Sequence, residues 1–372
     1  MNRTIQRIIA LTIKELLAVL RDKKSRFVLI GPPLAQLIVF GYAATFDLNN
    51  ISVAVYNEDR SLPSRELIAK VIGSPHFHRV TSIDNDGQIA KLIDNKDVLM
   101  VLHIGPRFSE YLKRGKSAKV QIIIDGRNSN NALLTLGYLR TILTDFNIEW
   151  SRKHGLPGPP ATLRIRSWYN ESLLSRWFIV PGIVGLLALV VTTIVTSLSV
   201  AREREAGTFD QLLVTPLRPV EIIIGKSMPG ILIGLLEGSF ILFMVVYWFE
   251  VPLRGDLGAL YLGMFLFLFS AVGIGLMISS LAVTQQQGIL GAFMFLVPSV
   301  ILSGFATPIA NMPEAVQYLT YINPMRYFLI ILRGIFLEGD TYTLLFDQYW
   351  PMFIIAVTAL ALAGWLFRHR MY

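Results

Sequence analysis

Apolar runs long enough to cross a bilayer alternate with short polar stretches along most of the chain, and one long polar interval interrupts them. The runs are Phe27 to Phe46, Trp177 to Val200, Val220 to Trp248, Leu257 to Val283, Ile289 to Phe305 and Met352 to Phe367. A helix of roughly 18 or more apolar residues covers the ~30 Å of bilayer hydrocarbon. The pattern therefore predicts an α-helical membrane protein with six transmembrane helices. For the first run a cleaved leader competes with a retained span, because Gly41-Tyr-Ala43 could serve as a cleavage site. The basic stretch ahead of it is long for a leader, which favours the span.

Three further segments carry pattern. In residues 1–26, Ile5, Ile9, Ile13, Leu16 and Leu20 recur at helical spacing among seven Lys and Arg, which predicts an amphipathic elbow helix on an anionic leaflet. Residues 47–176 read as a soluble α/β domain. Its β-rich runs are Ser52 to Tyr56, Val98 to Ile104 and Val120 to Ile124. Helical patterns lie around Ser64 to Ile72, Gly87 to Asp94, Pro106 to Lys113 and Asn131 to Arg152. Gly155 to Pro160 reads as a stiff linker and Ile165 to Trp168 as a last strand. In residues 306–349, Asn311-Met-Pro-Glu314 starts one helix, and Asn323-Pro324 ends it and starts another. Tyr327 to Leu337 is apolar enough to dip into the outer leaflet, so a pair of re-entrant helices is expected, covered by protein or water at that depth.

The short segment 201–219 is the most informative. Arg202, Glu203, Arg204 and Glu205 end the second run, and Gly207 breaks the helix at a left-handed position. Thr208 and Gln211 have capping-box spacing, and Phe209, Leu212 and Leu213 give the restarted helix one apolar side. Thr215-Pro216 ends it. Such a helix on a charged stalk suits a partner's groove, and an ordinary capped loop is the plain alternative.

Composition narrows the class. The chain has 372 residues, 53% of them hydrophobic, and a mean hydropathy of +0.52, too apolar for a soluble protein of this size. It has no cysteine, which excludes disulfides, thiolate metal sites and a cysteine nucleophile. The net charge of +8 is read through its placement rather than as affinity for nucleic acid. With both termini in the cytoplasm, thirteen Lys and Arg fall on inner segments, including the 368–372 tail, and three on short outer ones: Arg254, Arg326 and Arg333. That imbalance places the 47–176 domain outside and the 201–219 segment inside.

Candidate chemistry is sparse. Gly225-Lys-Ser227 has the ending of a phosphate loop, but Val220 stands where its first glycine belongs and no strand precedes it. His76 and His78 lack further metal ligands, and Asp125 to Asn128 reads as a turn. Glu237 lies midway along the third span, where it binds a cationic cargo, relays protons or accepts an interhelical hydrogen bond. Arg326 and Arg333, seven apart on one outer helix face, line an exit path or snorkel to lipid phosphates.

The run Arg202-Glu-Arg-Glu-Ala-Gly-Thr-Phe-Asp-Gln-Leu-Leu213 with its flanks resembles the coupling region of ABC-2 type transporter permeases. Leu302 to Glu314 and Tyr321 to Phe328 resemble the same family's outer re-entrant segment. Asp125 to Asn130, Trp168 to Asn170 and Ser279 to Gln287 resemble the permeases of bacterial drug-efflux ABC pumps. The resemblance runs nearly end to end. It implies a six-span inner-membrane exporter subunit of hydrophobic or cationic small molecules, not itself an enzyme, with ATP and magnesium bound by a separate cytosolic ATPase. It implies a dimer with an identical or sister permease, and a periplasmic adaptor leading to an outer-membrane channel. Glu203, Glu205, Thr208, Phe209 and Leu212 would lie on or near the ATPase contact. Two other classes stay open: an ion-gradient transporter using Glu237, and a membrane protein of envelope assembly or signalling.

Overall fold

The computed structural model describes residues 3–21, 23–43, 48, 50–157, 168–171, 174–209, 215 and 217–369. In chain order its elements begin with helices α1 (Arg3–Arg21) and α2 (Lys23–Ala43). Then come β1 (Ile51–Asn57), α3 (Leu62–Ile72), β2 (Phe77–Ile83), α4 (Gly87–Asp94), β3 (Met100–Ile104), α5 (Phe108–Lys113), β4 (Val120–Ile124) and α6 (Ser129–Lys153). The remaining helices are α7 (Ser175–Glu205), α8 (Pro219–Tyr247), α9 (Leu257–Leu281), α10 (Gln285–Ile301), α11 (Glu314–Thr320), α12 (Pro324–Arg333) and α13 (Phe346–His369). A π-helical turn, Gly334–Glu338, follows α12. The chain divides into two compact units, residues 46–166 and the remainder.

The 46–166 unit is an α/β layer structure. Its sheet has the order β2-β1-β3-β4, with β1 parallel to β2 and β3, and β4 antiparallel to β3. Alternate residues of a strand face opposite sides. Ile51, Val53 and Val55 thus meet Leu67 and Val71 of α3, Phe108 of α5, and Leu139, Phe146 and Trp150 of α6. Ala54 and Val101 face the other way, onto Ile89 of α4. Asp125 to Asn128 is a working turn: Asp125 grips Arg127, whose guanidinium donates to the α4 carbonyls of Ile93 and Asp94. Asn128 caps α6 through the Asn131 amide.

In the helical unit, α7, α8, α9 and α13 are long and apolar enough to cross a membrane, among the described residues, by length and composition. Helix α7 is central, packing on α2, α8, α9, α10 and α12. Close approach of α8 to it depends on small residues, as between membrane helices generally. A Cβ on Gly230 would lie 2.4 Å from Thr196 Cγ2, and one on Gly234 would lie 2.4 Å from Thr192 Oγ1.

The helices of the fifth and sixth runs have ends that differ from expectation. The fifth apolar run begins its helix at Gln285, ahead of Ile289, because the Thr284 hydroxyl accepts from the Gln287 amide and caps it. That helix stops at Ile301, 17 residues long, and the chain turns through Leu302 to Gly304. The sixth run's helix begins earlier than Met352, at Phe346. The expected strand at Ile165 to Trp168 lies, but for Trp168, outside the described residues.

Candidate functional site

The end of α7 carries the charged stalk, and each side chain there has work within the chain. Gly207 has φ +68°, and the amides of Ala206, Gly207 and Thr208 close the helix onto the carbonyls of Arg202, Arg204 and Glu203. Arg204 Nη1 donates to the carbonyls of Ser280 and Ala282 at 3.0 and 3.2 Å, satisfying the C-terminal end of α9. Glu205 Oε2 accepts from the Gln285 amide at 2.7 Å, at the N-terminal end of α10. A cation at a helix C-terminus and an anion at an N-terminus each oppose the exposed end of the helix dipole. The stalk thereby braces the α9–α10 turn from both sides.

Two residues expected at a partner contact are turned inward instead. Phe209 is only 8% exposed and packs with Leu11, Val200, Ile222 and Phe367. Its ring meets Phe367 edge-on at 5.6 Å, with the Arg204 guanidinium 4.9 Å from its centroid. Glu203 is buried and takes Lys14 and Lys226 as partners, each at 2.8 Å. Apolar and charged side chains at this junction are satisfied more fully by α1, α8 and α13 than by solvent. Glu205 and Gly207 are exposed, and Thr208 is half-buried. Gln211, Leu212 and Leu213 lie outside the described residues.

Beside the stalk runs a groove of about 680 Å³ between α2, α7 and α10. Pro33 and Phe40, Leu187 to Leu198, and Ile289 to Ile301 make its walls apolar. Gln36, Arg202 and Gln285 are its polar side chains. Arg202 therefore belongs to both the stalk and the groove.

Glu237, Arg326 and Arg333, the candidates for a cargo path, do not line this groove. Both carboxyl oxygens of Glu237 are buried without a hydrogen-bond partner among the described residues. Arg326 donates to Thr320 Oγ1 and lies 4.0 Å from the Tyr321 ring centroid. Arg333 donates to the Gly304 carbonyl at 3.2 Å, with its guanidinium 4.1 Å from the Phe178 ring centroid. Arg326 thus ties α12 to the end of α11 within the 306–349 segment, and Arg333 ties α12 to the Gly304 turn and to α7. His76, also considered earlier, stacks on Tyr138 at 3.8 Å.

Lys14 and Glu15 carry no motif in the sequence, and Lys226 stands out there only within the incomplete phosphate loop Gly225-Lys-Ser227. The signal for Glu15 was its position: with Leu11 and Val19 it forms the buried stripe of α1, an acid where an apolar residue belongs.

Residues 23–366 match the family described as ABC-2 family transporter protein. The chain belongs to that ABC-2 family. It is 37% identical over 358 residues to the probable multidrug ABC transporter permease YbhR of Escherichia coli (strain K12), covering 96% of this chain and 97% of that one. To the probable multidrug ABC transporter permease YbhS of the same strain it is 33% identical over 341 residues, 90% and 89% of the two chains. To the inner membrane transport permease YhhJ of Escherichia coli (strain K12) it is 27% identical over 379 residues, 98% and 96% of the two. This ABC-2 protein is the permease subunit of an ABC exporter, and ATP hydrolysis belongs to a partner ATPase.

Proposed function

We propose that this permease exports hydrophobic or cationic drug-like molecules outward across the bacterial inner membrane. The observation that carries the reading is the apolar groove of about 680 Å³ along α2, α7 and α10, with Arg202 of the stalk among its lining residues. Apolar walls with few polar groups favour hydrophobic cargo over a specific polar ligand. Displacement of the stalk would move Arg202 and the adjoining wall of α7, changing the groove's shape. Two relatives carry the name multidrug permease, which supports the cargo class.

In this reading the chain crosses the membrane six times with both termini inside, and α2 and α10 are the first and fifth spans. A second permease, identical or sister, closes the groove. Two cytosolic ATPases carry ATP and magnesium and press on residues 202–214. The 46–166 unit stands outside and meets a periplasmic adaptor that leads to an outer-membrane channel. The stripe Ile5, Ile9, Ile13, Leu17 and Leu20 on α1 is exposed and rests on the leaflet.

The test is export of a fluorescent hydrophobic cation by the permease–ATPase complex in proteoliposomes. Val297→Trp, which fills the groove, should slow export; unchanged rates would sink the groove as the path. The ion-gradient reading keeps one observation in its favour, the unpartnered Glu237. Export that survives Glu237→Gln and an uncoupler, but stops without ATP, removes it.

A further inference from the structure

Lys226 is the most deeply placed charge described in the helical unit, its side chain 1% exposed. Its Nζ lies 2.7 Å from Glu15 Oε1 on α1 and 2.8 Å from Glu203 Oε2 at the end of α7. Lys14 of α1 completes the set at 2.8 Å from the other oxygen of Glu203. Ser199 donates to Glu15 Oε2 at 3.3 Å, so α7 holds α1 a second time. Two cations face two anions, and the cluster is neutral. It joins α1, remote in sequence, to the end of α7 that bears the stalk and to the start of α8. The surrounding contact is close, since a Cβ on Gly225 would lie 3.0 Å from Leu11 Cβ. Arg7 reaches Glu221 at 3.8 Å one turn away.

We propose that the Lys226-centred cluster locks α1, the end of α7 and the start of α8 into one lever, so that a push on the stalk is delivered to α8 and to the membrane-surface helix together. Lys226, Glu15 and Lys14 are positioning residues for coupling, and none of them touches ATP or cargo. The physical ground is the cost of separation. Opening the cluster would leave charges buried without partners, which is strongly unfavourable. A joint of that kind stays shut while its surroundings move. The proposal rests on the reading that residues 202–214 receive the ATPase's push.

The test uses the whole permease–ATPase complex in proteoliposomes, with export and ATP hydrolysis measured together. Lys226→Met alone strands Glu15, so the working variant is Glu15→Gln with Lys226→Met, which removes one charge of each sign and leaves Glu203 with Lys14. We expect this double variant to assemble and hydrolyse ATP, because removing both partners strands no buried charge, while molecules exported per ATP fall severalfold as the joint loosens. The chain has no cysteine, so a Leu11→Cys, Gly225→Cys pair can be added without background thiols. Their Cβ separation falls about half an ångström short of ordinary disulfide spacing. Oxidation of that pair should restore export per ATP in the double variant, and reduction should abolish it again.

In the otherwise natural chain the same disulfide should leave export unchanged, because α1 and α8 already move as one. Three results would overturn the lever: unaltered export per ATP in the double variant, no rescue on oxidation, or arrest of the natural chain by the disulfide. A double variant that fails to assemble even when oxidised also counts against it. Failure of the coupling reading looks different: the exposed Glu205, replaced by Cys, would then not crosslink to the ATPase.

Discussion

In the 46–166 unit the pairs Lys70–Glu149, Arg60–Asp84 and Arg114–Glu110 lie at or near the surface, with at least one partner well exposed in each. In the helical unit Lys226 and its two carboxylates are almost wholly withdrawn from solvent. The lengths barely differ, 2.9 Å for Lys70–Glu149 against 2.7 Å for Lys226–Glu15. What differs is the surroundings. Water replaces a lost partner at the surface and screens what is left. Inside the helical unit nothing replaces it, so equal distances carry unequal consequences.

That contrast can be pressed hardest at Lys226. Lys226→Met should destabilise the helical unit by about 3–5 kcal/mol, since it leaves a buried carboxylate unpaired. Thermal unfolding in mild detergent measures this, and adding Glu15→Gln should recover much of the loss. If the single and double variants melt alike, the pairing is not what matters. Next in size is Phe209→Ala, a cavity of the kind that costs about 3 kcal/mol. Faster amide exchange in the last turn of α13, where Phe367 sits, would report it. No change there would argue that Phe209 faces outward after all.

A smaller effect is expected from pH, in the other unit. Burial draws His103 downward. Its hydrogen bonds to Glu58 at 2.9 Å and Gln121 at 3.1 Å outweigh that, and its pKa lies above the ordinary histidine value. Glu58 is held below the usual carboxylate range, chiefly by the imidazole. A raised histidine pKa gives stability that is complete below the ordinary value of about 6.5 and fades as pH rises through the folded one. Exchange at β3 should therefore quicken as pH rises from the ordinary value through the folded one, beyond the intrinsic trend, and His103→Gln should erase the excess. The least effect belongs to Lys70→Ala: no measurable shift in melting, which would confirm the surface side of the contrast.

Local pattern made much of the fold legible. The β-rich runs at 52–56, 98–104 and 120–124 coincide with β1, β3 and β4, because alternation or continuous apolarity is a property of neighbours. Strand β2 is no apolar run, with polar residues on both sides of Val80 in Phe77-His-Arg-Val-Thr-Ser-Ile83, as suits a strand paired on one side only at the sheet edge; His76 and His78 suggest only a possible strand there. The long apolar helices were visible in outline, and their ends less so, where Thr284 and Asn323 caps decide them. The stalk was found but its orientation was not. Phe209 among Leu212 and Leu213 announces a buried side without naming what buries it. Here Leu11 and Phe367 do so, from nearly opposite ends of the chain. The Lys226 cluster was hidden for the same reason, and Gly225-Lys-Ser227 drew attention only as an incomplete phosphate loop.

The span between Glu15 and Lys226 also has a consequence in time. They are 211 residues apart, and at about 5–20 residues per second a ribosome needs roughly 10–40 s to pass from one to the other. Throughout that interval α1 exists without the helix it will lean on. On the proposal that α1 rests on the leaflet, its exposed stripe of Ile5, Ile9, Ile13, Leu17 and Leu20 gives it somewhere to wait, with the acid turned aside. The membrane surface would then be, for this helix, a berth before it is a workplace.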